Sequence, residues 1–126
     1  MVWDGSAQGG FTAGVPWLPV KPAQLARNVA AQDGVAGSVL EFYRGMLAYR
    51  RGSKALLAGR TWFLDVAEPV LMFERALEGE MLTCAFNLSA GTVQVEAKGT
   101  LVGPSQNAEP GAEGLTLGPN GFAFLA

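Results

Sequence analysis

The chain has 126 residues, the length of one domain. A chain of that size buries roughly two thirds of its unfolded surface. Apolar residues make up 49% of it and charged residues only 16%, against about a quarter charged in ordinary soluble domains, so part of the surface is expected to pack against something else. A net charge of −2 with nine scattered Lys and Arg argues against nucleic acid, and the absence of histidine removes Ser-His-Asp and Cys-His nucleophiles. With one cysteine besides, no metal or cofactor is expected.

Residues 1–37 combine glycines and prolines with no helical or strand period, which predicts extended loop with small turns. They also carry Trp3, Phe11, Trp17, Leu18 and Val20, more large apolar groups than a disordered tail holds. Such a loop is expected to be ordered against a partner surface. A helix is predicted over 38–51. Ser38 and Glu41 have capping-box spacing, and Val39, Leu40, Tyr43, Met46 and Leu47 form one apolar stripe. Arg50 and Arg51 suit the negative end of the helix dipole, and Gly52 is a natural stop.

From about residue 60 the pattern turns to strands, at Thr61–Val66, Val70–Leu77, Met81–Asn87 and Thr92–Glu96. Glu78-Gly79-Glu80 reads as a tight hairpin with glycine at a positive-φ position, leaving both glutamates in solvent. Gly103–Gly114 reads as a polar loop, and Leu115–Leu117 and Phe122–Leu125 as two last strands separated by a Gly118-Pro119-Asn120-Gly121 turn. The predicted fold is therefore mainly β. It is an antiparallel Greek-key β-sandwich over 53–126, preceded by an extended segment and one helix over 1–52. Cys84, in an apolar alternating run, is expected as a buried free thiol. Asn87-Leu88-Ser89 fits the glycosylation acceptor triplet, although no leader and no membrane-length apolar run is legible and a cytoplasmic location is expected.

Several short signatures occur in order: Met1-Val2-Trp3-Asp4, Gly9-Gly10-Phe11-Thr12, Pro16-Trp17-Leu18-Pro19-Val20 and Asn28-Val29-Ala30-Ala31-Gln32, followed by the helix. In this order they resemble the carboxy-terminal part of glycoside hydrolase family 13 α-glucosidases, including oligo-1,6-glucosidases and trehalose-synthase-like enzymes. Leu71–Arg75 and Met81–Ser89 look like the sheet domain that follows the barrel in these enzymes. The resemblance implies that 1–52 correspond to the last loop and helix of a (β/α)₈ barrel and 53–126 to the sandwich behind it. It further implies that the catalytic carboxylates of this retaining family, a pair about 5–5.5 Å apart, lie upstream of the matching segment. The chain's own role would then be structural, as an α-glucosidase fragment without chemistry of its own.

The resemblance also places Trp3 and Asp4 near the rim of the parent's sugar site, as substrate-binding or bracing residues. The plainer alternative is that Asp4 caps locally while Trp3 packs on the barrel wall. Trp3 and Trp17 are expected as apolar anchors and Trp62 as sandwich core. Two further readings stand beside the buttress. Exposed tryptophans on a sandwich could stack on α-glucan or maltose-like sugars, as in stand-alone binding modules. Without a barrel, the 1–50 segment could instead mediate self-association.

Overall fold

The computed structural model describes all of residues 1–126, in two compact units, Met1–Leu47 and Ala48–Ala126. The first unit holds a short helix α1 (Pro22–Leu25), opened by Pro22 at its first position, and the start of helix α2 (Val39–Gly52). Only Gly9 and Asn28 are buried in this unit, so it contains no buried apolar side chain. Backbone and Asn28 hydrogen bonds hold it instead. Val29 and Ala30 N–H donate to the carbonyls of Val2 and Trp3 at 3.0 and 2.9 Å. Asn28 Nδ2 donates to Leu25 O at 2.7 Å while its Oδ1 accepts from Ala31 N at 2.8 Å.

At the start of α2 the Ser38 hydroxyl accepts from Glu41 N at 3.3 Å, which is half of the expected capping box. The other half is absent. Glu41 Oε1 accepts instead from Gly34 N and from Arg44, because the 33–35 turn brings a free N–H closer than the one at Ser38, which is bound to Val35 O.

The second unit is a curled antiparallel sheet preceded by a short helix α3 (Lys54–Ala58). Its strands are β1 (Arg60–Phe63), β2 (Val70–Leu77), β3 (Glu80–Asn87), β4 (Val93–Val95), β5 (Gln106–Gly111) and β6 (Gly114–Leu125). The order is β1-β2-β3-β6-β4, with β5 on the other side of β6. β2 and β3 are joined by the predicted hairpin, and both loop residues, Glu78 and Gly79, have positive φ (51° and 86°), as a two-residue turn with the right twist needs.

The strand β6 is where expectation and structure part. Leu115–Leu117 and Phe122–Leu125 are one continuous strand, not two. Its first half pairs with β4 and its last four residues with β3, which is how one sheet makes both layers of the sandwich. The Gly118-Pro119-Asn120-Gly121 stretch bends the strand without ending it. Asn107, at φ 47°, reaches across to Pro119 O (2.9 Å), and Asn120 N donates to Ser89 O (2.9 Å). The segment read as a polar loop contains β5, whose residues carry no apolar alternation and are held by pairing to β6.

Alternation gives the sheet two unlike faces. Met72, Ala85, Leu115, Leu117, Ala123 and Leu125 fill the interior. Leu115 and Leu117 are among its largest fully buried side chains, each worth ~1.5–3 kcal/mol of burial. The opposite face carries an aromatic ladder. Phe63, Phe73, Phe86 and Phe122 follow one another across four strands at centroid separations of 5.8, 5.8 and 6.2 Å, and Phe124 is covered by Tyr49 at 5.1 Å. The ladder is buried at Phe122 and Phe124 and open at Phe63, which is 73% exposed. Cys84 is fully buried in this face, and burial pushes its thiol up to about 11.

Two side chains, Trp62 and Glu80, differ from expectation. Trp62 is not core. It lies on the outermost strand β1, 43% exposed, with the Arg60 guanidinium 5.5 Å above its ring. Glu80 is not free in solvent, because its carboxylate accepts from the Ser53 hydroxyl and from Ala55 N (3.2 Å) and so ties α3 to the hairpin. Ser53 itself caps α3 through Leu56 N at 3.0 Å. Asn87 is 2% exposed, which removes its triplet from any glycosylation machinery in the folded state. Its Nδ2 faces the carbonyls of Gly91 (2.7 Å), Gly118 (2.8 Å) and Leu117 (3.2 Å), while its Oδ1 accepts from Ser89 N (3.0 Å) and the Ser89 hydroxyl (2.8 Å).

Candidate functional site

The candidate residues Trp3 and Asp4 sit in a tight loop that closes at Gly9-Gly10. Trp3 N and Asp4 N both donate to Gly9 O, at 2.7 and 3.4 Å, and Gly9 N donates back to Ser6 O at 2.8 Å. Asp4 Oδ1 accepts from Ser6 N at 2.9 Å, and the Ser6 hydroxyl accepts from Gly10 N at 2.9 Å. The Asp-Gly-Ser order is an Asx-turn signal, and the loop uses it. Glycine suits position 10 on two counts. Its φ is +66°, and a Cβ there would stand 2.5 Å from Asp4 Oδ2.

Electrostatically the loop holds one committed charge. The Ser6 hydroxyl, and after it the Ser6 N–H, stabilise the Asp4 carboxylate and lower its pKa below the ordinary 3.8. Asp4 is therefore an anion at neutral pH and suited to accept hydrogen bonds from a hydroxyl, not to donate a proton. The Trp3 indole beside it is 50% exposed. One half-open aromatic face next to one fixed carboxylate can orient a sugar ring. It can equally brace a neighbouring loop.

Other carboxylates come together only as ion-pair partners. Asp33 and Glu41 share Arg44 Nη1 at 2.5 and 2.6 Å on the exposed start of α2, and the two carboxylates raise the arginine's pKa. One guanidinium between two surface carboxylates makes a helix-end clamp, and none of the three residues lines a groove. No cluster of three or more Cys, Asp or Glu side chains is disposed to hold a metal ion. No helix is long and apolar enough to cross a membrane.

Trp3 and Asp4 line neither of two mainly apolar grooves that the first unit presents beside Met1 and Val2. One, of ≈ 500 Å³, is bordered by Phe11, Pro16, Trp17, Leu18 and Val20. The other, of ≈ 420 Å³, is bordered by Val29, Val39, Leu40 and Tyr43. Met1, Val2 and Gln24 belong to both, so the grooves adjoin. Sequence reasoning named the apolar side chains but had no means of placing Trp17 and Tyr43 in adjoining grooves, which share Met1, Val2 and Gln24.

No protein-family model matches the chain. Individual relatives do. A probable α-glucosidase of Rhizobium meliloti (strain 1021) is 39% identical over 89 residues, covering 71% of this chain and 16% of the relative. An oligo-1,6-glucosidase of Heyndrickxia coagulans is 35% identical over 97 residues, covering 76% and 18%. Among solved structures, the α-glucosyl transfer enzyme XgtA superposes on all of this chain with a TM-score of 0.86 and 33% identity. The trehalulose synthase MutB of Pseudomonas mesoacidophila MX-45 superposes on 98% of it with a TM-score of 0.85 and 30% identity. The chain spans about a sixth of the curated relatives it matches and about a quarter of the solved chains.

Proposed function

This chain is the counterpart of the carboxy-terminal part of glycoside hydrolase family 13 α-glucosidases, and on that premise we propose that it is a structural buttress of a catalytic barrel and carries no chemistry itself. The observation that carries this reading is the first unit's lack of any buried apolar side chain. Trp17 is 94% exposed, and Phe11, Val15 and Leu18 are exposed beside it. A segment that stays ordered without a core has its hydrophobic contacts elsewhere. In this reading residues 1–52 are the end of the barrel and 53–126 the sandwich behind it. The open end of the aromatic ladder at Phe63 and Phe73 supplies a second apolar contact.

Trp3 and Asp4 then belong to the rim of the parent's sugar site, with the charge of Asp4 held by Ser6. The parent is a retaining α-glucosidase whose acid and nucleophile are outside this segment. The test has two arms. Purified chain is expected to release no glucose from maltose, isomaltose or an aryl α-glucoside; turnover that tracks protein concentration overturns the proposal. Grafted in place of the matching segment of the Rhizobium meliloti α-glucosidase, the chain is expected to support activity. In that graft Trp17→Ser should shorten the thermal inactivation half-life, and an unchanged half-life removes the apolar contact from the argument.

The half-open Trp3 indole beside an anionic Asp4 favours one other reading, a carbohydrate-binding module for maltose-like sugars. It expects the Trp3 indole signal in an amide NMR spectrum to shift on adding maltose or isomaltose. A spectrum that ignores both sugars dismisses it.

A further inference from the structure

We propose that the Glu80 carboxylate is an acid-labile latch for α3. Charged, it holds the start of the helix on the end of the β2–β3 hairpin; protonated, it lets Ser53–Leu57 open while the sheet stays folded. The helix has little else to hold it there. It is five residues long, too short to persist by its own hydrogen bonds, and Ala55 is its one buried side chain.

The carboxylate reaches the helix at two points. Glu80 Oε1 accepts from the Ser53 hydroxyl and Oε2 from Ala55 N at 3.2 Å. Ser53 is 6% exposed, and its hydroxyl in turn accepts from Leu56 N at 3.0 Å. Two first-turn N–H groups are therefore satisfied through one carboxylate, Ala55 directly and Leu56 by way of Ser53. Hydrogen bonds to an ionised oxygen are roughly twice as strong as neutral ones. On protonation that advantage is lost, and one carboxyl oxygen then carries a proton towards a group that is itself a donor.

The neighbouring charges leave Glu80 as the group that titrates the contact. Lys54 pairs with Glu78 at 3.1 Å, but the two side chains are 71% and 66% exposed, so that pair adds little. Tyr49 and Cys84 stay neutral in acid, since burial raises the pKa of both. Arg75 stays a cation. Its Nη2 donates to the carbonyls of Leu56 (3.4 Å) and Gly59 (2.8 Å), so it grips the far end of the helix at any pH and does not reach the start. The Ser53 hydroxyl lowers the pKa of Glu80. The latch is thus complete above the unfolded value of 4.5 and is lost as pH falls through the folded one.

Amide hydrogen exchange of the full chain between pH 6 and pH 3 tests this, read as protection factors, which remove the intrinsic pH dependence of exchange. Protection at Ala55 and Leu56 is expected to fall about tenfold, the scale of one lost hydrogen bond to a charged group, with a midpoint below pH 4.5. Amides midway along β2 and β3 should hold their protection over the same range. The Glu80 side-chain carboxyl carbon, followed by NMR in the unaltered chain, should titrate at that same midpoint. Glu80→Gln should start with low protection at Ala55 and show no step, whereas Glu78→Gln should leave the step in place.

Protection at Ala55 and Leu56 that stays flat to pH 3 overturns the proposal. So does a step that survives Glu80→Gln, a Glu80 titration at a different midpoint, or loss of the sheet amides together with those of α3. The buttress reading makes no use of this titration and stands or fails on the graft.

Discussion

Replacing Asn87 by Ala tests how the two layers of the sandwich are held together. Asn87 ends β3, and its amide spans to the bend of β6 and to the turn at Gly91. Five polar groups face it, and the cost follows from which of them water can reach. Gly91 is exposed and the Ser89 hydroxyl can rotate to solvent, so those two are compensated. Leu117 is fully buried and Gly118 and Ser89 are half-buried, so the two carbonyls and the Ser89 N–H are left short of partners. Each loss of a net hydrogen bond costs about 1 kcal/mol, and a group left dry and unpaired about 1–3 kcal/mol. The sum expected is about 3 kcal/mol, a large part of the 5–15 kcal/mol that holds a typical domain.

Urea unfolding monitored by circular dichroism should show the midpoint falling by about 1–2 M with an unchanged slope. Asn87→Asp should be worse than Ala, since it loses both donors and points a charge at three carbonyls. Leu88→Ala, one residue on and exposed, should shift the midpoint by less than about 0.3 M. An Asn87→Ala midpoint within that same margin would refute the account of the bend.

Other outcomes follow from the same contacts. Glu80 has its pKa lowered, chiefly by the Ser53 hydroxyl. A depressed folded-state pKa contributes stability that is present above the unfolded value of 4.5 and is lost as pH falls through the folded one. Glu80→Gln should therefore destabilise the chain at pH 7 and make little difference near pH 3, read from paired denaturation curves. Cys84, with its thiol pushed up to about 11 inside the sheet, should resist a thiol reagent at pH 8 and react at the rate of global unfolding; prompt labelling of the native chain would contradict its burial. Gly10→Ala places a Cβ against Asp4 at a positive φ, at a cost of about 1–3 kcal/mol locally. It should move the Trp3 indole and residues 2–10 in an NMR spectrum and leave the amides of β2 and β3 in place.

Local pattern made part of the fold legible and left the rest hidden. The helix was readable because Val39 to Leu47 repeat at helical spacing behind Ser38, and the β2–β3 hairpin because alternation on both sides meets at Glu78-Gly79. β5 was not readable, since Gln-Asn-Ala-Glu-Pro-Gly has no strand pattern and exists as a strand through pairing with β6. The turn signals at Gly118 to Gly121 were real but overridden. Asn107 and Ser89 supply hydrogen bonds that let the chain bend there and continue.

At the candidate site the sequence pointed to Trp3 and Asp4, and an Asx pattern at Asp4-Gly5-Ser6 was available to find the carboxylate's partner. The closure of that loop on Gly9 and Gly10 was not.

What the sequence by itself determined is what short-range chemistry dictates: the strand-rich second half, the capped helix, the hairpin, the buried thiol and the excess of apolar groups in the first half. Tertiary structure decided which groups those apolar side chains adjoin, that β6 serves both layers, and that Glu80 and Asn87 work as internal ties. The physical reason is range. Backbone propensity and side-chain period act over a few residues. Burial, by contrast, and the pairing of polar groups such as Asn87 with Leu117 and Gly118, depend on segments thirty residues apart, which only the folded chain brings together.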